Sequence, residues 1–377
     1  MNEKTIVDPD QMPLVVAVDL GGTQVRVAVL RGSTLLSRVS EGTGADSTPD
    51  HLVPRIYDAI QEALDESCSE LDQVTGIGIG VAGPLDSRTG IVFAAPNLSG
   101  WHNISLRDRF QERYRMPIFV ENDANAAALG EYMFGAGRGC KDLVYLTIST
   151  GIGSGVIVNG QIVGGTSGTA GELGHMTVDW RWRGEPCNCG NIGCLESIAS
   201  GTAIARNAQE AIGEERGREL LAFACALQQY TGEAGQPDPP VHNYMNHEHF
   251  ARERDVEAPP ISARTVWLAA QAGIPLAFSL IREAAEALGV GLVNIIHIFN
   301  PEMIILGGGV TQMGPLLLEP ALQIVHDRAM QVPRRAVRIV QAQMDADAGL
   351  VGAGALVYHS LNVNGVFQRE GMMVGAS

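Results

Sequence analysis

No stretch of this sequence stays apolar for the roughly 20 residues that a bilayer requires. The run from Leu288 to Phe299 comes nearest, but it is shorter and carries Asn294 and His297. The opening residues, MNEKTIVDPDQMP, lack the apolar segment of a secretory leader. A cytoplasmic protein is therefore expected. Basic residues are in deficit, 26 Lys and Arg against 42 Asp and Glu, for a formal charge of −16. Such a surface repels the phosphates of nucleic acid and anionic membranes, so neither is expected as a partner. Neither of the glycine turns at Gly21-Gly22-Thr23 and Thr150–Gly153 is a phosphate-binding loop of the G-x-x-x-x-G-K-[ST] or G-x-G-x-x-G type. The 45 glycines follow no collagen-like period, so they are expected at tight turns and close backbone approaches.

What is present is a chain of 377 residues, 45% of them apolar, long enough for two cores or for one core with insertions. Strands and helices alternate, which indicates an α/β protein. A strand over Leu14–Val18 leads into Asp19-Leu20-Gly21-Gly22-Thr23, and Val25–Leu30 returns as a hairpin. Leu52, Ile56, Ala59, Ile60, Ala63 and Leu64 are spaced for a helix over 49–65. The glycine-rich run 76–81 reads as a strand. A strand over Met116–Val120 runs into Glu121-Asn122-Asp123, and a helix over Ala124–Phe134 follows. The hairpin form then recurs: Leu143–Ile148, a turn through Ser149-Thr150-Gly151-Ile152-Gly153-Ser154-Gly155, and a return over Val156–Val158. A third strand, Met303–Leu306, ends in Gly307-Gly308-Gly309. The repetition suggests two related halves facing one cleft. Residues 213–260 lose this pattern and read as a surface insertion with one short helix near 220–227. The chain beyond His359 reads as a loose tail.

The glycine turns are candidate phosphate cradles, because backbone N–H groups can approach oxygens where no Cβ intervenes. Asp19 could then hold Mg²⁺. A plain hairpin with a turn-favouring Asp explains one such turn equally well, but a second at Thr150-Gly151-Ile152-Gly153 favours a polyphosphate clamped from both sides. Asn122 and Asp123, at a strand-to-helix junction, are either helix caps or cleft residues able to take a hydroxyl proton. The most specific local signal is His175 followed by Cys187, Cys189 and Cys194. Three thiolates and an imidazole complete a tetrahedral zinc set with no open position, so that zinc would be structural. Glu172 and Glu196 flank this set. They are either solvated surface groups or carboxylates held by the metal clip to receive sugar hydroxyls. His242, His247 and His249 read as a solvated loop rather than a second metal site.

Together these residues resemble the ROK family of sugar kinases and repressors. The matching parts are Asp19–Thr23, Gly80-Val81-Ala82-Gly83-Pro84, Glu121–Asn125, Ser149–Gly153, Gly171-Glu172-Leu173-Gly174-His175 and the Cys187–Glu196 loop, covering about Val15 to Tyr358 outside the insertion. The resemblance implies an actin-like, ribonuclease-H-like fold of two α/β domains around a nucleotide and sugar cleft. On that pattern the smaller domain is 1–122 with a C-terminal helix at about 345–377, and the larger is 123–344. Asp123 becomes the base, and Asn122, Glu172, His175 and Glu196 contact the sugar. Asp19, Gly21, Gly22, Thr23, Thr150, Gly151, Gly153 and the Gly307-Gly308-Gly309 unit fall to MgATP. His175, Cys187, Cys189 and Cys194 hold Zn²⁺. Gly83-Pro84-Leu85-Asp86 and the run from Ala95 to Trp101 look like bacterial glucokinases of the family, which adds Asn97 as a sugar contact and a homodimer or tetramer as the assembly.

The activity so implied is ATP-dependent phosphorylation of the glucose C6 hydroxyl. The alternatives are N-acetylmannosamine, N-acetylglucosamine, fructose or allose as the sugar, a sugar-responsive repressor, or a sugar binder without turnover. Against the repressor stand the acidic charge and the dozen or so residues ahead of the first strand, too few for a helix-turn-helix.

Overall fold

The computed structural model describes residues 11–181, 186–231 and 259–363. Strands β1 (Leu14–Leu20), β2 (Gln24–Arg31), β3 (Thr34–Gly42) and β4 (Val74–Val81) belong to a first sheet. Three short strands, β5 (Leu85–Asp86), β6 (Ile91–Ala94) and β7 (His102–Ser105), make a small antiparallel sheet beside it. β8 (Ile118–Asn122) completes the first sheet in the order β3-β2-β1-β4-β8. The second sheet uses β9 (Leu143–Ile148), β10 (Ile152–Val158), β11 (Gln161–Ile162), β12 (Met303–Gly307) and β13 (Arg338–Gln341), ordered β11-β10-β9-β12-β13. In each sheet the first three strands are antiparallel and the last two run parallel to the first. The two halves thus share one topology, as the repeated hairpin suggests.

Helices α1 (Pro49–Glu66) and α2 (Leu106–Tyr114) cover one face of the first sheet. Their apolar residues Leu52, Ile56, Ile60, Leu64 and Phe110 meet Val16, Val18 and Leu20. The outer face of the second sheet is covered by α4 (Leu195–Ala199), α5 (Gly201–Ala211), α6 (Arg218–Thr231), α7 (Ala263–Gln271), α8 (Pro275–Phe299) and α9 (Pro315–Arg328). The short α10 (Gln331–Ala336) precedes β13. Two helices lie between the sheets: α3 (Asp123–Phe134), which follows β8, and α11 (Ala348–Val363), which follows β13.

Each crosses to the opposite half. α3 leaves the first sheet and packs on β9 and β10, with Ala126, Ala127 and Ala128 against Leu143, Tyr145 and Ile157. α11 leaves the second sheet and packs on β1 and β4, with Leu350, Ala353 and Val357 against Val15 and Ala17. Strand alternation divides the residues: Val15 and Ala17 face α11, while Val16 and Val18 face α1. The glycines of β4 now have a cause. A Cβ on Gly78 would overlap the Ala353 carbonyl of α11, and one on Gly76 would touch Val357 at 3.0 Å. Where α3 crosses α11, a Cβ on Gly130 would lie 3.1 Å from the Gly352 Cα.

Several boundaries differ from the sequence reading. β1 extends through Asp19 to Leu20, so the first turn is only Gly21-Gly22-Thr23. β10 begins at Ile152, which places Gly153 in a strand opposite Thr147 and leaves Ser149-Thr150-Gly151 as the turn. The strand β3 escapes a periodicity reading because serine, arginine and glutamate interrupt its apolar residues. The helix expected near 220–227 is present as α6, but it is not part of a surface insertion, since Leu220, Phe223 and Ala224 sit in the core of the second half. The chain beyond His359 is not all tail either, since α11 continues to Val363 with Leu361 buried. The histidines at 242, 247 and 249, and the end of the helix expected at about 345–377, lie outside the described residues. Among the described residues no helix is long and apolar enough to cross a membrane.

Candidate active site

The cleft between the halves is lined by Gly83, Pro84, Leu85, Asn122–Asn125, Gly153, Ser154, Gly168–Ala170 and Glu172. Its floor is the N-terminus of α3. Asn122 is the cap: its side-chain oxygen accepts from the N–H groups of Ala124 and Asn125 at 3.0 and 3.3 Å. Its amide nitrogen donates to the Gly83 carbonyl at 3.4 Å. With capping assigned to Asn122, the carboxylate of Asp123 has no structural duty beyond a contact to the N–H of Ala124 at 2.9 Å. The cap thus belongs to Asn122, while both residues line the cleft.

The Asp123 carboxyl lies deep among protein atoms while keeping part of its surface open to the cleft. Burial pushes its pKa up, and the nearby charges of Asp19 and Glu172 add to that. The two effects outweigh the Ala124 N–H contact and bring it to about 6. Asp19 is buried at the end of β1, opposite Arg26 on one side and Gly80 on the other. Arg26 forms an ion pair with Asp19 and also donates to the Ala346 carbonyl at 2.6 Å, just ahead of α11. Asp19 and Glu172 are thus the acids whose charge bears on Asp123, and Glu172 shares the cleft lining with it.

The glycine units divide by role. Gly22 lacks a Cβ because Asn97 packs on it; a Cβ there would overlap the Asn97 side chain. This places Asn97 on the first turn, beside Thr23. Gly151 faces Glu196. Gly308 takes a left-handed φ of 87°, and a Cβ on it would overlap the Ile148 backbone, so the end of β12 lies against the second turn. The Gly307–Gly309 unit and Thr150-Gly151 therefore meet at the ends of parallel strands, where α/β sheets bind ligands.

His175, Cys187, Cys189 and Cys194 place four ligand atoms within 4.8 Å of one another. On a zinc tetrahedron with Zn–S of about 2.3 Å, two thiolates stand about 3.8 Å apart, and a thiolate and an imidazole nitrogen about 3.5 Å. The Cys189–Cys194 sulfurs are 3.7 Å apart, and Cys187 Sγ is 3.4 Å from His175 Nδ1. The donor set fits zinc. His175 turns Nδ1 to the sulfurs and Nε2 toward Glu172, whose carboxylate oxygen is 4.0 Å away. Glu196 lies in the first turn of α4, two residues after Cys194, and accepts the N–H of Ile152 at 2.9 Å. The metal loop is thereby tied to the second glycine turn, a link that distance in sequence conceals.

A ROK family model matches residues 15–360. The chain belongs to the ROK family. Its similarity to a glucokinase of Halalkalibacterium halodurans is 34% identity over 350 residues, 92% of this chain and 96% of that protein. A xylose repressor of Caldicellulosiruptor bescii is 30% identical over 82% of this chain and 68% of its own length. Among solved structures, a ROK glucokinase from Streptomyces griseus, in complex with glucose and AMPPNP, superposes with a TM-score of 0.69. It is 33% identical, covering 91% of this chain and 98% of that one. A ROK hexokinase from Thermus thermophilus gives 0.71 at 31% identity, covering 93% and 99%. The fold is the actin-like ATPase fold of ROK sugar kinases.

Sequence reasoning missed the Gly168-Thr169-Ala170 loop, which reaches across the cleft. A Cβ on Gly168 would stand 2.8 Å from the Leu85 carbonyl, and Arg88 donates to the Thr166 carbonyl at 3.2 Å. The density of glycine and threonine from Gly164 to Gly171 marked a turn-rich loop, but nothing local placed it over the cleft. It also missed Glu131, fully buried in α3. Its carboxylate accepts the N–H groups of Ala136, Gln343 and Met344 at 2.7–2.8 Å, holding the segment that leads into α11.

Proposed function

We propose that this chain is an ATP-dependent glucose kinase that makes glucose 6-phosphate, with Asp123 as the general base. The observation that carries the reading is the division of labour at the start of α3. Asn122 caps the helix, and Asp123 is left facing the cleft with a carboxyl poised near 6 between Asp19 and Glu172. A base with a pKa near the working pH is both ionised and basic enough to assist. Asp123 accepts the C6 hydroxyl proton as O6 attacks the γ-phosphorus. The O6–P bond forms, the bond to the β-phosphate oxygen breaks, and ADP leaves.

Asn97, Asn122, Glu172, His175 and Glu196 are assigned to the sugar. Asp19, Gly21, Gly22, Thr23, Thr150, Gly151, Gly153 and Gly307–Gly309 are assigned to MgATP. Mg²⁺ would neutralise phosphate charge as it develops, and Asp19 is the residue that would hold it. His175, Cys187, Cys189 and Cys194 would hold a structural Zn²⁺, which would fix the imidazole tautomer and leave Nε2 for a hydroxyl. Residues 1–122 with α11 act as the smaller body and 123–344 as the larger. The protein is cytoplasmic, works in carbohydrate breakdown as a homodimer or tetramer, and needs no nucleic acid.

A coupled assay of ATP consumption across a hexose panel tests the reading. Glucose is expected to give the highest kcat/KM, with N-acetylated hexosamines poor because their 2-substituent needs room. A better value for N-acetylmannosamine would move the substrate but keep the kinase. Hexose binding with no ATP consumption would leave a sugar-responsive regulator, the character of the xylose repressors among its relatives.

A further inference from the structure

Asn125 lies one turn into α3, beside Asp123 on the cleft wall, and is 3% exposed. Its Nδ2 donates to Glu121 Oε1 at 3.1 Å. The same Oε1 accepts the Asn122 N–H at 2.9 Å, so it acts as an acceptor and fixes the amide with nitrogen toward Glu121. Asn125 Oδ1 is left with no partner. Among the described residues it is the only buried side-chain oxygen in that state; the other two unpaired buried atoms are arginine nitrogens, in Arg107 and Arg206. An unpaired buried acceptor is costly and calls for an explanation. Helix formation supplies none, since Asn122 already caps α3 and the Asn125 N–H bonds to that cap. A protein donor is not at hand in Ser154, the cleft hydroxyl opposite, because its O–H is given to the Gly171 carbonyl.

We propose that Asn125, oriented by Glu121, is a further hexose-binding residue whose Oδ1 accepts a hydrogen bond from one hydroxyl of the bound sugar. The proposal rests on the hexose kinase reading of the same cleft and extends its set of sugar contacts. A site built to pair with a substrate hydroxyl rejects the analogue that lacks it, because the protein group is then stranded. Asn125 is accordingly a specificity residue, and Glu121 a positioning residue that fixes the amide with its nitrogen toward the carboxylate.

The test is calorimetric titration of glucose and its 1-, 2-, 3- and 4-deoxy analogues into the parent protein and Asn125→Leu, with melting curves for both. The parent is expected to bind one deoxy analogue about tenfold or more weakly than glucose. In Asn125→Leu, glucose is expected to weaken by about tenfold and that one penalty to shrink to within twofold, with the other penalties unchanged. The leucine variant is expected to melt close to the parent temperature, because it removes the desolvation cost of the unpaired acceptor together with the Nδ2 bond to Glu121, whose Oε1 keeps the Asn122 N–H. Glu121→Gln, which can offer Asn125 a donor as well as an acceptor, is expected to raise glucose KM several-fold with kcat nearly kept. Glucose affinity unchanged in Asn125→Leu, or an equal loss for every analogue together with a lower melting temperature, overturns the proposal. Because binding is read without turnover, a parent that binds hexose but consumes no ATP would defeat the kinase reading while this test still runs.

Discussion

Replacing Asp123 by Asn should make the protein less active and more stable at once, and the two effects should part company with pH. The carboxyl rises from an ordinary 3.8 to about 6 in the folded chain, through burial first and then the charges of Asp19 and Glu172. A two-unit rise corresponds to about 3 kcal/mol. The sign follows from proton linkage. The folded protein binds this proton more tightly than the unfolded chain does, so stability is fully present below pH 3.8 and is lost as pH rises through 6. At pH 8 the ionised side chain therefore costs up to about 3 kcal/mol. Asparagine keeps an oxygen for the Ala124 N–H and carries no charge, so Asp123→Asn should recover most of that cost at pH 8 and almost none at pH 4. Urea melts at the two pH values measure the difference directly. Turnover should fall by roughly 10²–10⁴-fold. In the parent, kcat/KM for the sugar should climb with unit slope to a plateau above a midpoint near 6, and the variant should lose that limb. An Asp123→Asn protein no more stable than the parent at pH 8 would refute the electrostatic account. One that kept near-parental turnover would return Asp123 to a helix-terminus role.

Three further outcomes follow from the geometry. Gly78→Ala is expected to cost about 1–3 kcal/mol or more in denaturant melts, because the added Cβ meets the Ala353 backbone rather than a side chain able to move. Cys189→Ser is expected to abolish a stoichiometry of one zinc per chain by elemental analysis. It should raise KM for ATP as well as for hexose, because Glu196 joins the metal loop to the N–H of Ile152; an unaltered ATP KM in a folded, zinc-free variant would show that this link carries nothing. Asn122→Ala is expected to lower stability by about 0.5–2 kcal/mol through loss of the α3 cap, read by thermal melts.

The chemistry of this site was more legible than its packing. The His175, Cys187, Cys189 and Cys194 set announces itself because three thiols and an imidazole in a tight local pattern have few other uses, whereas Asp19, Asp123 and Glu172 each kept a bland reading beside the functional one. Strands such as Leu143–Ile148 are plain because apolar residues fill both faces. What the sequence hides is whatever depends on a distant partner. The glycines of β4 look like an oddity until α11, some 270 residues later, is laid against them. Asn122 and Asp123 are equivalent as letters, and only the helix geometry gives one the cap and frees the other. Asn125 shows only as the last residue of the Glu121–Asn125 motif, with no role attached, and Glu131 leaves no local mark at all: a polar residue in an alanine-rich helix is ordinarily a solvated one. The core role of α6 was lost because the degraded pattern around it drew the eye to the loop rather than to Leu220, Phe223 and Ala224.

The exchange of α3 and α11 between the halves also sets an order of events at the ribosome. The first sheet can pair its strands early, but Val15, Ala17, Ala28 and Leu30 wait for Leu350, Ala353 and Val357 to cover them. At 5–20 residues per second, the roughly 320 intervening residues take about 15–60 s to synthesise. For that interval the nascent chain shows a bare apolar sheet face, the kind of surface that associates with other chains. Tyr358 then closes it, donating to the Pro13 carbonyl and accepting from the Gly32 N–H, both at 2.9 Å. A ribosome stalled anywhere before α11 therefore leaves a first half that has formed its strands yet cannot become soluble on its own. Late-terminating nonsense mutations should behave as aggregation lesions rather than as simple losses of activity.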